Sequence, residues 1–222
     1  MKIACSSLSP KFAERFAEVL LEDEAKLDAE FLAFASERLL CLPNTDVWFS
    51  LWFRPERFSR LALHALTQQN DAVTNAVATF SMFTLGHCNE VLTILAESFT
   101  KLTPEAKHNF LVSSIKSNYS QKERLLLSLS YDESLDKLLV EAVVAGLCAC
   151  ATPSAIARVI ELADKKEMDE KLASVGAGIV HGSSVETAKL LSQYSWSSPV
   201  IKILIDNMQP SEDNNRIESD EE

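Results

Sequence analysis

The sequence predicts an all-α fold, organised as a right-handed α-solenoid of stacked antiparallel helical hairpins of about thirty residues each. The composition is the first observation: only five glycines and seven prolines occur in 222 residues, which favours helices over tight β-turns. Apolar residues also recur at helical spacing between start signals. From Asp71 onward, those start signals recur at nearly regular intervals.

The charge distribution argues against two classes of partner. The net charge is −11, and the segment 211–222 alone carries six acidic residues against one arginine. No run of lysine and arginine occurs, and such a run is what binding to a nucleic-acid backbone or an anionic membrane surface requires. We therefore expect no direct nucleic-acid or membrane partner.

The cysteines and the hydropathy pattern favour the cytoplasm. Five cysteines are scattered through mostly apolar stretches, unlike the disulfide framework of a small secreted domain. The first ten residues contain too short an apolar run for a signal peptide, and no stretch approaches the ~18 apolar residues of a membrane span. The recognised zinc and serine-hydrolase motifs are absent, so we expect no cofactor.

Residues 1–69 are predicted to form a helical N-terminal cap. Ser9-Pro10 is typical of a helix start, and apolar residues then recur at helical spacing to about Glu22. Further helices are predicted over 27–39 and 56–66. Between them lies the most aromatic segment of the chain, with Trp48, Trp52, Phe53 and Arg54. This segment either packs in the core or contacts a partner, since tryptophan and arginine are enriched at interface hot spots.

Residues 70–208 are predicted to form successive helix pairs. The predicted pairs are 71–85 with 89–102, 104–116 with 121–129, and 134–150 with 154–164. A shift of 31 residues superimposes 144–160 on 175–191, so that small residues align with small residues and Thr152 aligns with Ser183. The glycines of this second stretch have neither Walker-loop nor dinucleotide-fingerprint spacing. They predict close helix packing, with Gly182 at the turn and Ser183 as the next cap.

The segment 169–191, Asp-Glu-Lys-Leu-Ala-Ser-Val-Gly-Ala-Gly-Ile-Val-His-Gly-Ser-Ser-Val-Glu-Thr-Ala-Lys-Leu-Leu, resembles a short HEAT-like repeat of the armadillo type, and 132–162 and 71–95 are similar to it. Ankyrin repeats are the second choice, because Gly86-His-Cys-Asn and Thr152-Pro-Ser-Ala have ankyrin character. The resemblance implies a non-catalytic adaptor or regulator that binds a protein partner, and it leaves self-association open. Candidate exposed contact residues on the second helices are Glu90, Arg158, Glu161, Lys189 and Gln193.

Two other functions remain open at this stage. The acidic segment 209–222 is predicted to be disordered, and it could occupy the basic site of a nucleic-acid-handling enzyme as a mimic. Cys150 and His181 coincide in the 31-residue register, so a thiol and an imidazole could together bind metal or perform nucleophilic chemistry. The simpler interpretation is that the cysteines are small buried apolar residues and that His181 is a turn residue.

Overall fold

A computed structural model describes residues 62–64, 66–67, 71–81, 89–164 and 171–208. Every regular element in these ranges is a helix, which confirms the all-α prediction. None of these helices is long and apolar enough to cross a membrane. The chain divides into two compact units, Met1–Ser120 and Gln121–Glu222. The predicted cap 1–69 lies outside the described residues, apart from a few helical positions after residue 61, and so does the segment 209–222.

From residue 71 onward, the described part of the first unit forms three α-helices and one 3-10 helix. These are α1 (Asp71–Ser81), α2 (Asn89–Glu97), the 3-10 helix Phe99–Lys101 and α3 (Pro104–Lys116). α3 packs against α1. Three side-chain bonds join this pair: Thr103 N to Asn75 Oδ1 (2.6 Å), Asn109 Nδ2 to the Thr79 carbonyl (3.1 Å), and Ser113 Oγ to the Ser81 carbonyl (2.9 Å).

Helix boundaries in the first unit follow local capping. α3 has the predicted bounds because the Thr103 hydroxyl accepts a hydrogen bond from Ala106 N and Pro104 occupies the first turn. The predicted helix 89–102 is instead divided: α2 ends at Glu97 and the chain tightens into the 3-10 turn, which buries Phe99. α1 begins at the predicted Asp71 and is described as far as Ser81.

The described residues of the second unit, 121–164 and 171–208, form six helices in two layers. They are α4 (Lys122–Leu129), α5 (Lys137–Cys150), α6 (Pro153–Ala163), α7 (Leu172–Gly182), α8 (Val185–Ser192) and α9 (Pro199–Asn207). In one layer α7 packs between α5 and α9, and in the other α6 packs between α4 and α8. The layers are joined by contacts of α5 with α4 and α6, of α6 with α7, and of α8 with α9.

Capping residues set the helix boundaries in this unit, and two of the predicted boundaries are wrong. α5 starts at Lys137, not Ser134, because the Asp136 carboxylate caps it by accepting from Leu139 N. Thr152 caps α6, as its hydroxyl accepts from Ala155 N. The predicted cap Ser183 is wrong: it is Ser184 whose hydroxyl accepts from Thr187 N and caps α8.

Two glycines of α7 allow it to approach the backbone of α5. The sequence predicted this role for Gly178, whereas Gly182, predicted at the turn, is the last residue of α7 and also packs on α5. A Cβ atom added at Gly178 would lie 2.6 Å from the Glu141 carbonyl oxygen and 2.7 Å from Val144 Cβ. A Cβ atom at Gly182 would overlap the Ala145 carbonyl and lie 2.5 Å from its Cα atom. Any side chain at either position would therefore force the two helices apart.

The hairpins α5–α6 and α7–α8 correspond at a separation of 32 residues, not 31. Their first helices end at Cys150 and Gly182, and their second helices are capped by Thr152 and Ser184. The buried positions correspond in the same way: the 32-residue shift carries 142, 143, 144, 146 and 147 onto 174, 175, 176, 178 and 179, all of them buried. Cys150 therefore corresponds to Gly182 and not to His181.

We predict that replacing Gly178 or Gly182 by alanine destabilises the fold. The overlap with α5 should cost about 1–3 kcal/mol, even though alanine favours an isolated helix by about 1 kcal/mol. Gly176→Ala is the matched control, because its Cβ would meet only side-chain ends, Leu204 Cδ1 at 3.0 Å and Ile201 Cδ1 at 3.7 Å, and the closer of these can move. Urea unfolding followed by circular dichroism should rank Gly176→Ala above both other variants. The reverse order would contradict the packing described.

Candidate functional site

Helices α4, α6 and α8, each the second helix of its predicted pair, expose one stripe of side chains each. We call these three stripes together the second-helix ridge. In each stripe the residues are three or four positions apart and so share one face of their helix. The buried residues of these helices lie outside these stripes. The ridge consists of Arg124 and Ser128 on α4, Ser154, Ala157 and Glu161 on α6, and Glu186 and Lys189 on α8 with Gln193 directly after it.

Three of the five predicted second-helix residues lie on this ridge. Glu161, Lys189 and Gln193 are exposed there. Glu90 is exposed in the first unit, near the start of α2. The prediction that Arg158 is exposed is wrong, because only 8% of it is accessible. The aromatic segment with Trp48, Trp52, Phe53 and Arg54 lies outside the described residues.

Arg158 is buried because it joins α6 to the end of α4. Its Nε donates to Ser130 Oγ (2.9 Å) and its Nη2 donates to the Ser130 carbonyl (2.7 Å). Nη1 pairs with Glu161 at 2.5 Å, and the guanidinium carbon lies 3.7 Å from the centre of the Tyr131 ring. Its charge is thus satisfied by a carbonyl, a carboxylate and an aromatic face, which is the geometry that favours arginine over lysine.

Three large side chains that the sequence did not single out are exposed at the C-terminal ends of α4 and α8. Tyr131 is 65% exposed although its ring stacks on Arg158. Leu190 is 45% exposed in the last turn of α8, at the position that corresponds to Arg158. Tyr194 is exposed, and its hydroxyl donates to Asp164 Oδ2, the residue after α6. This hydrogen bond raises the pKa of the Tyr194 phenol.

These residues form one end of the second-helix ridge. Ser130, which follows α4, is bound by Arg158 of α6, and Asp164, which follows α6, is bound by Tyr194, which follows α8. The C-terminal ends of the three helices are therefore held next to one another. The ridge carries both signs of charge, with Arg124 and Lys189 against Glu161 and Glu186. Exposed tyrosines among mixed charges are typical of a surface that contacts another protein.

Cys150 and His181 have different polar surroundings. His181 Nδ1 lies 2.8 Å from Glu141 Oε1, in an exposed pair between α7 and α5. Burial raises the pKa of the Cys150 thiol, and its charged neighbours are Lys122 and Glu123. Burial also raises the pKa of Cys148 to about 11. Within 62–208, excluding the gaps, no group of three or more histidine, cysteine or acidic residues could hold a metal ion.

We predict that Arg158→Lys lowers the free energy of unfolding by about 1–3 kcal/mol. Lysine keeps the charge but cannot bond to both Ser130 oxygens, so a buried polar group loses its partner. Glu161→Gln removes the ion pair alone and should cost less than about 0.5 kcal/mol, because Glu161 is largely exposed. Chemical denaturation of both variants checks this. Equal losses would show that the ion pair, and not the bonds to Ser130, stabilises this junction.

We also predict that both described cysteines are unreactive in the folded chain. With a pKa of about 11, Cys148 is deprotonated in roughly one molecule in a thousand at pH 8, about a hundredfold less than an unperturbed thiol. Alkylation with iodoacetamide, resolved residue by residue by mass spectrometry, should be slow at Cys148 and Cys150 and should accelerate in urea. Faster alkylation of Cys150 in the folded than in the unfolded chain would instead indicate an activated thiolate.

Comparison of the chain with known family models, with curated proteins and with solved structures gave no match. Among the described residues, the second-helix ridge is a candidate interaction surface. It combines mixed charges with the exposed side chains of Tyr131, Leu190 and Tyr194.

Proposed function

We propose that this chain is a cytoplasmic, non-catalytic adaptor or regulator that binds a protein partner along the second-helix ridge. In this proposal, residues 70–208 form a right-handed solenoid of short HEAT-like hairpins, and the ridge is the row of second helices that such stacking leaves open. The observation that carries the proposal is the exposure of Tyr131, Leu190 and Tyr194 at the C-terminal ends of the outer two helices of this row.

The correspondence of two hairpins supports the solenoid part of the proposal. At a separation of 32 residues, the ends of α5 and α7 correspond, the caps of α6 and α8 correspond, and five buried positions of α5 correspond to buried positions of α7. The helices of each pair are joined by only two residues, 151–152 and 183–184, and α5 packs against α6. A hairpin of this size cannot bury its apolar face alone, so side-by-side stacking supplies the missing core.

Side-chain bonds between successive hairpins support the same arrangement. Arg158 bonds to a residue 28 positions earlier, and Tyr194 to one 30 positions earlier. In the first unit, Asn109 bonds to a carbonyl 30 positions earlier. Contacts between elements about one hairpin apart are what a linear stack provides.

The ridge suits a protein partner better than a polyanion or a small molecule. Its charges are mixed, so it offers no positive field for phosphates. Tyr131 and Tyr194 are each anchored by a second side chain, Arg158 and Asp164, so less side-chain entropy is lost when a partner binds them. Anchored aromatic residues within a polar surround are the usual arrangement of interface hot spots.

We predict that a double variant, Tyr131→Ala with Leu190→Glu, reduces capture of the partner at least tenfold. Loss of the Tyr131 ring, together with a carboxylate placed at position 190, should cost more than about 1.4 kcal/mol of binding free energy. The measurement is affinity capture with the tagged full chain, followed by quantitative mass spectrometry and by titration of the partner identified.

Leu138→Glu is the matched control. Leu138 is 54% exposed on α5, in the other helical layer, so the same substitution there leaves the ridge intact. The partner should be captured equally by this variant and by the unmodified chain. A partner that the ridge variant retains, or that only Leu138→Glu loses, would overturn the assignment of the ridge.

A further inference from the structure

The outer face of α9 is apolar at its centre and is not covered by another described helix. Ile201 and Ile205 are buried, and Leu204 lies against Gly176 of α7, so these residues define the inner face. At about 100° per residue, Ile203 projects from the opposite side of the helix. Ile203 is 59% exposed and Val200 is 62% exposed.

The outer face has two different flanks, one on each side of Ile203. Lys202 and Asp206 lie one turn apart on one side of Ile203, and both are exposed. Val200 and Asn207 lie on the other side. Among the described residues, neither Lys202 nor Asp206 has an ion-pair partner. An apolar centre bordered on one side by a cation and an anion four residues apart is the pattern of a self-complementary helix face.

We propose that this α9 face, formed by Val200, Lys202, Ile203, Asp206 and Asn207, binds a second copy of the same chain in an antiparallel, two-fold arrangement. A two-fold axis at the level of residue 204 places Lys202 opposite Asp206 of the second copy, and the symmetry repeats the pair. The two Ile203 side chains then meet near the axis, offset by about 3 Å along the helices.

The order of the charges selects the antiparallel arrangement. In an antiparallel pair each flank of one helix faces the same flank of the other, so Lys202 and Asp206 find opposite charges. In a parallel pair each flank faces the opposite one, so the charged flank would lie against Val200 and Asn207. The parallel pair would leave both ion pairs unmade and would bring charges next to an apolar side chain.

The size of the face sets the concentration range of the experiment. α9 has nine residues and is therefore about 13 Å long, so the contact is small and the dimer is a reversible one. Sedimentation velocity of the full chain from micromolar to millimolar concentration should show a monomer–dimer equilibrium. A chain that remains monomeric over this range would overturn the proposal.

Charge reversal tests the two-fold pairing directly. Lys202→Asp places two acids opposite each other and Asp206→Lys places two lysines opposite each other, so each single variant should weaken dimerisation about tenfold. An equimolar mixture of these two variants should dimerise again, because both cross-pairs are then of opposite charge. The double variant Lys202→Asp/Asp206→Lys should also dimerise, with the charges exchanged. Failure of both rescues would overturn the antiparallel pairing.

Two further variants separate the α9 face from other surfaces. Ile203→Glu should weaken dimerisation at least tenfold, because it places a carboxylate at the apolar centre. Lys189→Asp on α8 is the control of the same charge change outside the face, and it should leave the dimer unaffected. Circular dichroism verifies that each variant is folded. A dimer that tolerates Ile203→Glu, or that Lys189→Asp dissociates, would place the contact elsewhere and overturn the proposal.

Discussion

The backbone contact between α5 and α7 is the constraint on which the second unit depends. Two glycines of α7, Gly178 and Gly182, lie so close to Glu141, Val144 and Ala145 that no side chain fits between the helices. Glycine costs helix stability, about 1 kcal/mol at each position, and close packing of the two helices offsets that cost. Because α7 is held there, α8 and α9, which follow it, are positioned as well.

This contact also explains where the exposed surfaces lie. With α5 and α7 in one layer, α6 is held between α4 and α8 in the other, and the stripes of these three helices face away from the core. Arg158 and Asp164 then join the ends of successive second helices through Ser130 and Tyr194. The proposed recognition surface is thus a consequence of how the first helices pack. The α9 face arises differently, as the side of the last described helix that no further described helix covers.

Sequence periodicity predicted the helical class, the bounds of α3 and the packing role of the α7 glycines, because these depend on local spacing and residue size. It misplaced the start of α5 and the cap of α8, since Asp136 and Ser184 compete with equally suitable neighbours, Ser134 and Ser183. The resulting error of one residue paired Cys150 with His181 in place of Gly182. Arg158 was assigned to the surface because its partners, Ser130 and Tyr131, are distant in sequence. The one sequence signal that could have indicated this contact is Tyr131, an aromatic residue close behind the end of α4.

The most direct test of this account is a nuclear Overhauser measurement between α7 and α5 in the isotope-labelled full chain. The Hα protons of Gly178 should give strong cross-peaks to the methyl groups of Val144, and those of Gly182 should give strong cross-peaks to Ala145, because the two backbones are in van der Waals contact. Absence of both sets of cross-peaks in the folded chain would contradict the packing of α7 on α5, and with it the positions of the ridge and of α9.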